Sequence, residues 1–317
     1  MPLPTSFSDR LRLPAIAAPM FLASGPDLVV ETCKAGIVGT FPALNQRTSD
    51  GYEAWLDEIA GRLADEGGAA PFGVNLIVHR SNARLARDIE LTVKHKVPVV
   101  ITSLGAVRDV ADAVHSYGGL VFHDVINRRH AEKAAEVGVD GIIAVSAGAG
   151  GHAGTVSPFA LVSEIAQVFA GAIILSGSIS TGAQIAAARL MGADLAYIGT
   201  RFLATKESMI DARYKQMLID SRAADILYTD AISGVHANFL RPSLFAAGLD
   251  PDKLTTHGAH DVESEVKAWK TIWSAGHGVG AITDLPSVAE LAARLGADYA
   301  QAMARAASDP FAAKLRA

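Results

Sequence analysis

The sequence predicts an α/β protein: a (β/α)8 TIM barrel with a smaller, mostly helical second domain over the barrel mouth. Three observations predict it. Eight short apolar runs recur through the first two-thirds of the chain, separated by helix-like segments. Glycines and polar residues collect just after those runs. The rhythm then changes after Phe202, and a helix-like stretch returns near the C-terminus.

The runs are AIAAPM (15–20), VGTF (38–41), GVNLI (73–77), VVITS (99–103), LVFHDV (120–125), GIIAV (141–145), AIILSG (172–177) and LAYIGT (195–200). Each is too short for an ordinary helix and lacks strict alternation, as a parallel strand covered on both faces does. Between them, AEKAAEVGVD and AARLMGAD carry a late glycine just before the next run, where it suits a left-handed helix cap. SPFALVSEIAQVFA (157–170) begins with Ser157 as a cap and Pro158 at the first helical position. Strands and helices alternating eight times favour a closed barrel. Periodicity by itself also allows an open doubly wound sheet.

A barrel commonly uses about 250 residues as one unit, so a chain of 317 residues has room for an insertion. Residues 1–204 and 286–317 are assigned to the barrel and 205–285 to a smaller helical substrate or lid domain. SVAELAARLGADYAQAMARA (287–306) reads as a helix returning to the barrel.

Half of the residues are hydrophobic and the net charge is −5, without a long basic run. Nucleic acid is therefore excluded as the main partner, because phosphate backbones need clustered Lys and Arg. The single cysteine, Cys33, excludes an internal disulfide and reads as a small buried residue on a helix. No apolar run reaches the ~18–20 residues of a membrane span, and MPLPTSFSDRLRLP lacks the pattern of a signal peptide. A soluble, cytoplasmic protein is expected.

In such a barrel the C-terminal strand ends form the active face. They supply Ala18, Pro19, Met20, Asn75, Ser103, His123, Asp124, the loop holding Gly150, Gly151 and His152, then Ser176 to Gly182 and Gly199 to Phe202. The loops SGSISTG (176–182) and GTRF (199–202) follow the last two barrel strands and read as an anion site. Small residues there expose backbone N–H groups at helix N-termini, and Ser178, Ser180 and Thr200 add hydroxyls. Ordinary turn chemistry favours the same residue types.

AVSAGAGGHAGT (144–155) places His152 among Gly148, Gly150, Gly151 and Gly154. The glycines permit positive φ and let a flat ligand approach the backbone. His152 is either an acid–base group facing that ligand or an exposed loop histidine. His79, His95, His115 and His130 read as surface residues, while His123 and His236 are placed to line a site or its lid. His257 and His260, with Asp261, are only a weak metal pattern, and no metal is expected.

PFGVNL (71–76), AGGHAG (149–154) and GTRFLATKES (199–208), with IAAPM (16–20) and WSAGHGVG (273–280), resemble the nitronate monooxygenases, formerly called 2-nitropropane dioxygenases. The resemblance spans the chain in the right order. It implies an FMN-binding barrel, with Met20, Asn75, Gly151, Gly177, Ser178, Gly199 and Thr200 around FMN and the last four near its phosphate. Ala18, Pro19, Ser103, Asp124, Gly150 and Ser176 complete the expected cofactor wall; His123, His236 and Ser274 are expected on the substrate side. His152 matches the family's catalytic base. The implied reaction is oxidation of an alkyl nitronate, of the propionate 3-nitronate type, with O2. A homodimer is compatible with this resemblance.

Four positions depart from the family pattern. Gly148 stands where many relatives have Glu, Ser178 replaces the second glycine of a pair, Asp124 stands where some have Lys, and His277 replaces Gln. Two alternatives remain open. One is an NAD(P)H-dependent flavin reductase acting on a quinone, enoyl-thioester or CoA-linked substrate, with Arg241 either contacting an anionic group or capping a helix. The other is a non-redox, sugar-phosphate isomerase or lyase.

Overall fold

The structure is a computed structural model, described here for residues 3–315 apart from 65, 80, 104, 106–107, 233 and 256–270. The apolar runs form strands β1 (Ala15–Ala17), β2 (Val38–Pro42), β3 (Phe72–Ile77), β4 (Val99–Ser103), β5 (Leu120–Val125) and β6 (Gly141–Val145). After a two-residue strand β7 (Gly151–His152) come β8 (Ala172–Ser176) and β9 (Leu195–Ile198). Strands β1 to β6, β8 and β9 close into a parallel barrel in sequence order. Closure is made by β1 against β9, with Ala15 opposite Ala196 and Ala17 opposite Ile198. That pairing excludes the open sheet.

Burial on both faces explains why the strands read as unbroken apolar runs. Ile16, Val99, Ile101, Ile143 and Ile174 belong to an interior cluster, where Phe7 lies edge-on to Phe122 at 6.3 Å. Their neighbours Ala15, Ala17, Val100, Ile142 and Ile173 belong to the cluster shared with the surrounding helices. The period of two is present, but both phases are apolar.

The first run ends as a strand at Ala17 rather than Met20. Pro19 lacks an N–H for the ladder. Ser157 and Pro158 occupy the expected cap and first helical positions of Pro158–Ala166, but the Ser157 side chain makes no capping bond. Gly138, at φ 90°, terminates helix Arg128–Val137 as expected. Cys33 is fully buried on helix Pro26–Lys34, and burial pushes its thiol up to about 12.

The returning helix is Val288–Ala307, started by a reciprocal Ser287–Glu290 capping box. Its Val288, Leu291 and Leu295 join the barrel's outer cluster. It packs so closely on helix Gly182–Leu190 that a Cβ at Gly182 would lie 2.0 Å from the Leu295 carbonyl oxygen.

The segment between 205 and 285, expected to be mostly helical, also contains a short antiparallel sheet. Its described residues hold helices Ala212–Asp220 and Arg241–Ala246, but also antiparallel strands β10 (Ile226–Thr229) and β11 (Ala237–Leu240). Strand β11 then pairs with β7, Ala237 opposite His152 and Asn238 opposite Gly151. The strands form because β11 is fully buried and each partner supplies its backbone hydrogen bonds. No helix among the described residues is long and apolar enough to cross a membrane.

Candidate functional site

The glycine loop after β6 is held as an edge strand, not left free. Ser274 Oγ accepts the Gly151 N–H at 2.7 Å and donates to Asn238 O at 2.5 Å. Asn238 Nδ2 donates to Ala149 O at 2.7 Å, and the His277 N–H donates to Gly148 O at 2.9 Å. Tyr214 supports Ser274 by donating its hydroxyl to the Ser274 carbonyl, and its ring stacks on Trp273 at 4.7 Å. Gly148 and Gly151 take φ of 82° and 71°, the left-handed region that glycine enters without a steric penalty.

His152 therefore faces a cavity of about 1280 Å³ from a fixed backbone. The cavity lies at the C-terminal strand ends, where Ala18, Pro19, Met20, Asn75, Ser103, Asp124, Ser176, Gly199 and Thr200 share its wall. Gly150, Gly151, His123, His236 and Ser274 line it as well. Gly177 and Ser178 are absent from this wall and line an adjoining recess with Gly148, Ser180, Gly276 and Gly278. Cavity and recess meet at Gly150, Ser176, Tyr197, Gly199 and Thr200.

The recess is built for backbone donors. A Cβ at Gly148 would lie 2.4 Å from Ser178 Oγ, one at Gly177 2.4 Å from Ser146 Oγ, and one at Gly278 2.5 Å from Ser180 Oγ. Side chains are excluded on three sides. Ser178 adopts a left-handed φ of 58°, a conformation uncommon outside glycine and Asn or Asp. Ser180 Oγ is buried without a hydrogen-bond partner among the described residues. Thr200 Oγ1 accepts the Gly276 N–H at 2.8 Å, which leaves its own proton to donate elsewhere. A small anion suits this donor set.

Across the cavity, three strand ends are tied in one chain. Asn75 Nδ2 donates to Ser103 Oγ at 2.7 Å, and Ser103 Oγ donates to Asp124 Oδ2 at 2.5 Å. Asp124 Oδ1 is buried and has no partner among the described residues. Burial pushes the Asp124 carboxyl up to about 6, against a lowering by Ser103 and by the charge of His152. His123 is bound through Nδ1 to Thr102 Oγ1 at 2.7 Å, and burial pushes it down to about 4. It is neutral at ordinary pH.

Several lining residues carried no clear sequence signal. Tyr197, Tyr214, Tyr228 and Trp273 supply aromatic walls, and Tyr228 stacks on His236 at 5.0 Å. His130, read as a surface residue, lines the outer end beside Arg108 and Lys133. Their only signal was position: each sits on a helix that follows a barrel strand. Arg241 opens helix Arg241–Ala246, pairs with Asp252 at 3.1 Å and is absent from the wall. His257, His260 and Asp261 lie outside the described residues. Among the described residues, no group of three or more His, Cys, Asp or Glu is placed to hold a metal ion.

Comparisons with known proteins agree with this geometry. The model of the nitronate monooxygenase family matches residues 82–298. A nitronate monooxygenase of Paraburkholderia phytofirmans is 31% identical over 284 residues, covering 75% of this chain and 76% of that protein. A hydroxy-methyl-oxo-octahydroindene-carboxyl-CoA dehydrogenase of Mycobacterium tuberculosis is 27% identical, covering 73% of this chain and 64% of its own length. The solved structure of a nitroalkane oxidase from Streptomyces ansochromogenes superposes with a TM-score of 0.81 at 24% identity, over 94% of this chain and 98% of that one. The barrel, the clamped glycine–histidine loop and these matches together show that the chain belongs to the nitronate monooxygenase family of flavin-dependent oxidoreductases.

Proposed function

We propose that the protein binds FMN along the cavity and oxidises small alkyl nitronates, of the propionate 3-nitronate type, with O2. The carrying observation is the continuity of the two spaces: a glycine-and-serine recess opens directly into a cavity walled by His152. A ligand with an anionic end and a long flat body fits that shape. Backbone N–H groups of 177–178 and 199–200, with the Ser178, Ser180 and Thr200 hydroxyls, hold the phosphate. Ala18 to Met20, Asn75, Ser103, Gly150, Gly151 and Ser176 surround the ring.

The bound flavin supplies the electron-accepting chemistry. The chain's own residues do the rest. His152, fixed by the β7–β11 pairing, takes or returns a proton at the substrate carbon or oxygen. His123, neutral because of its burial, and His236 orient the substrate, and Ser274 acts through Gly151 by holding the loop. Tyr214 and Trp273 form an aromatic wall that limits water. A purified protein that is yellow, releases FMN on denaturation and consumes O2 on a nitronate panel meets this reading. A colourless protein that turns over a sugar phosphate overturns it in favour of non-redox chemistry.

One observation favours a second reading, an NAD(P)H-dependent reductase of a larger quinone, enoyl-thioester or CoA-linked substrate. The cavity of about 1280 Å³ exceeds the ~300–1,000 Å³ that takes one drug-sized ligand, and the helices that line it bring Arg108 and Lys133 against the one carboxylate of Glu136. The relationship to a CoA-ester dehydrogenase agrees with this. Anaerobic mixing decides: bleaching of the flavin by NADPH or NADH, without O2 uptake on nitronates, establishes the reductase.

A further inference from the structure

The glycine-and-serine recess offers hydroxyls and backbone N–H groups but no cation. Among the described residues, no Lys, Arg or His lines it. Ser180 Oγ is buried there and has no hydrogen-bond partner among the described residues. A phosphate monoester is close to a dianion above pH ~6, and its strongest partners are charged donors. Neutral donors alone leave much of that charge uncompensated.

His277 stands on the rim of the recess. Its chain neighbours on both sides, Gly276 and Gly278, line the wall. Its N–H donates to Gly148 O at 2.9 Å, which fixes its backbone against the glycine loop. A Cβ built on Gly148 would lie 2.4 Å from Ser178 Oγ and 3.0 Å from His277 Nδ1. The missing side chain therefore leaves open the space between that hydroxyl and the imidazole. The ring is exposed and makes no ion pair or side-chain hydrogen bond among the described residues. Other charged groups on the elements packed against the short helix His277–Ala281 are engaged elsewhere. Arg201 pairs with Asp284 at 3.0 Å. Arg222 donates to the carbonyls of Ile219 and Ser221, and Asp225 accepts the Arg222 N–H. Lys215 donates to Lys206 O, Asp220 accepts from Gln216, and Arg213 lies over the Trp273 ring.

We infer that His277 is a cofactor-binding residue: its imidazole takes a proton from solvent when FMN enters and supplies the recess with its cation, at the phosphate and not at the ring. The inference rests on the cavity holding FMN. An imidazole ordinarily titrates near pH ~6.5 and holds its proton longer beside an anion. The gain in affinity is therefore present at low pH and is lost as pH rises and the imidazolium of the complex deprotonates. Riboflavin has the same ring without the phosphate and gains nothing from His277. His123, Asp124 and His152 line the main cavity and not the recess, so they act on both flavins alike. The ratio of FMN affinity to riboflavin affinity isolates the phosphate.

That ratio is measured by flavin-fluorescence titration of flavin-stripped protein, in phosphate-free buffer at low ionic strength, because salt screens an exposed pair. In wild type it is expected to fall about tenfold between about pH 6.5 and 8.5. His277→Gln keeps a neutral donor, so its ratio is expected to be flat with pH and about tenfold lower at the acid end. His277→Lys carries a permanent charge and is expected to keep the high ratio throughout. A His277→Gln variant with the wild-type pH profile overturns the inference. Equal losses of riboflavin and FMN in that variant place the effect in the loop and overturn it too. Calorimetry on wild type in Tris and in Hepes, at about pH 7.5 where the phosphate is already ionised, serves if a variant fails to fold. Greater proton uptake with FMN than with riboflavin is expected, and equal uptake overturns the inference. Wild-type protein that binds neither flavin overturns the proposed function itself, and the inference with it.

Discussion

Gly151 hangs its backbone N–H on the hydroxyl of Ser274 at 2.7 Å, across 123 positions of sequence. The same hydroxyl donates onward to Asn238 O, so one side chain ties the glycine loop to β11. Ser274→Ala leaves both backbone groups without this partner in a site that is 6% exposed. The expected cost is about 1–3 kcal/mol in unfolding free energy, read by denaturant titration. Turnover is expected to fall with it, because His152 loses the frame that aims it. An unchanged stability would show that β11 alone holds the loop.

His152 itself is expected to matter to chemistry and not to assembly. His152→Ala removes no cofactor contact from the recess, so FMN content should stay at the wild-type level. Turnover should drop by at least about 10²-fold, the lower end for a general acid–base group. Absorbance after denaturation measures the first quantity and steady-state kinetics the second. Full activity in the variant would return His152 to the status of a wall residue.

Three of the four departures from the family pattern meet at one place. A Cβ built on Gly148 lies 2.4 Å from Ser178 Oγ and 3.0 Å from His277 Nδ1. Gly148→Ala is therefore expected to reduce FMN occupancy, because the methyl group must displace Ser178 at the mouth of the recess. The positive φ adds roughly 1–2 kcal/mol of strain. Restoring glycine at the second position, in Gly148→Ala/Ser178→Gly, removes the clash and should recover part of the occupancy. Equal FMN loss in the single and double variants would show that strain at 148 dominates.

The barrel was legible because a strand buried on both faces must be apolar at every position, as Gly141–Val145 is. The anion-type loops were legible for a similar reason: only small residues fit where a Cβ would strike a neighbour, as at Gly177. Strands β10 and β11 were not. Each is four residues long, β10 is half-exposed, and the two-residue partner that completes their sheet lies far upstream. Their existence depends on a tertiary pairing that no local pattern records. The same holds for His130 and Lys133, which look like one solvated helix face until the cavity reaches them. Gly148, Ser178 and His277 could be noted one by one in the sequence, but their adjacency is a property of the folded loop.

Two neighbours on β5 oppose each other in their effect on acid stability. His123, pushed down to about 4, stays neutral in the folded protein while the unfolded chain takes up a proton below ~6.5. Its contribution is present above ~6.5 and is lost as pH falls toward 4. Asp124, pushed up to about 6, binds a proton in the folded protein that the unfolded chain releases above ~3.9. Its contribution is full below ~3.9 and is lost as pH rises through 6. Each is worth about 3 kcal/mol at most, in opposite directions over nearly the same window. Between pH 6.5 and 4 the pair should nearly cancel. Asp124→Asn removes one side of that balance, so its unfolding free energy should fall more steeply with acid than wild type over this range. His123→Phe, which removes the other side, should flatten or reverse the slope. Denaturant titrations at half-unit pH steps measure both, and parallel slopes in all three proteins would show that neither group titrates differently on folding.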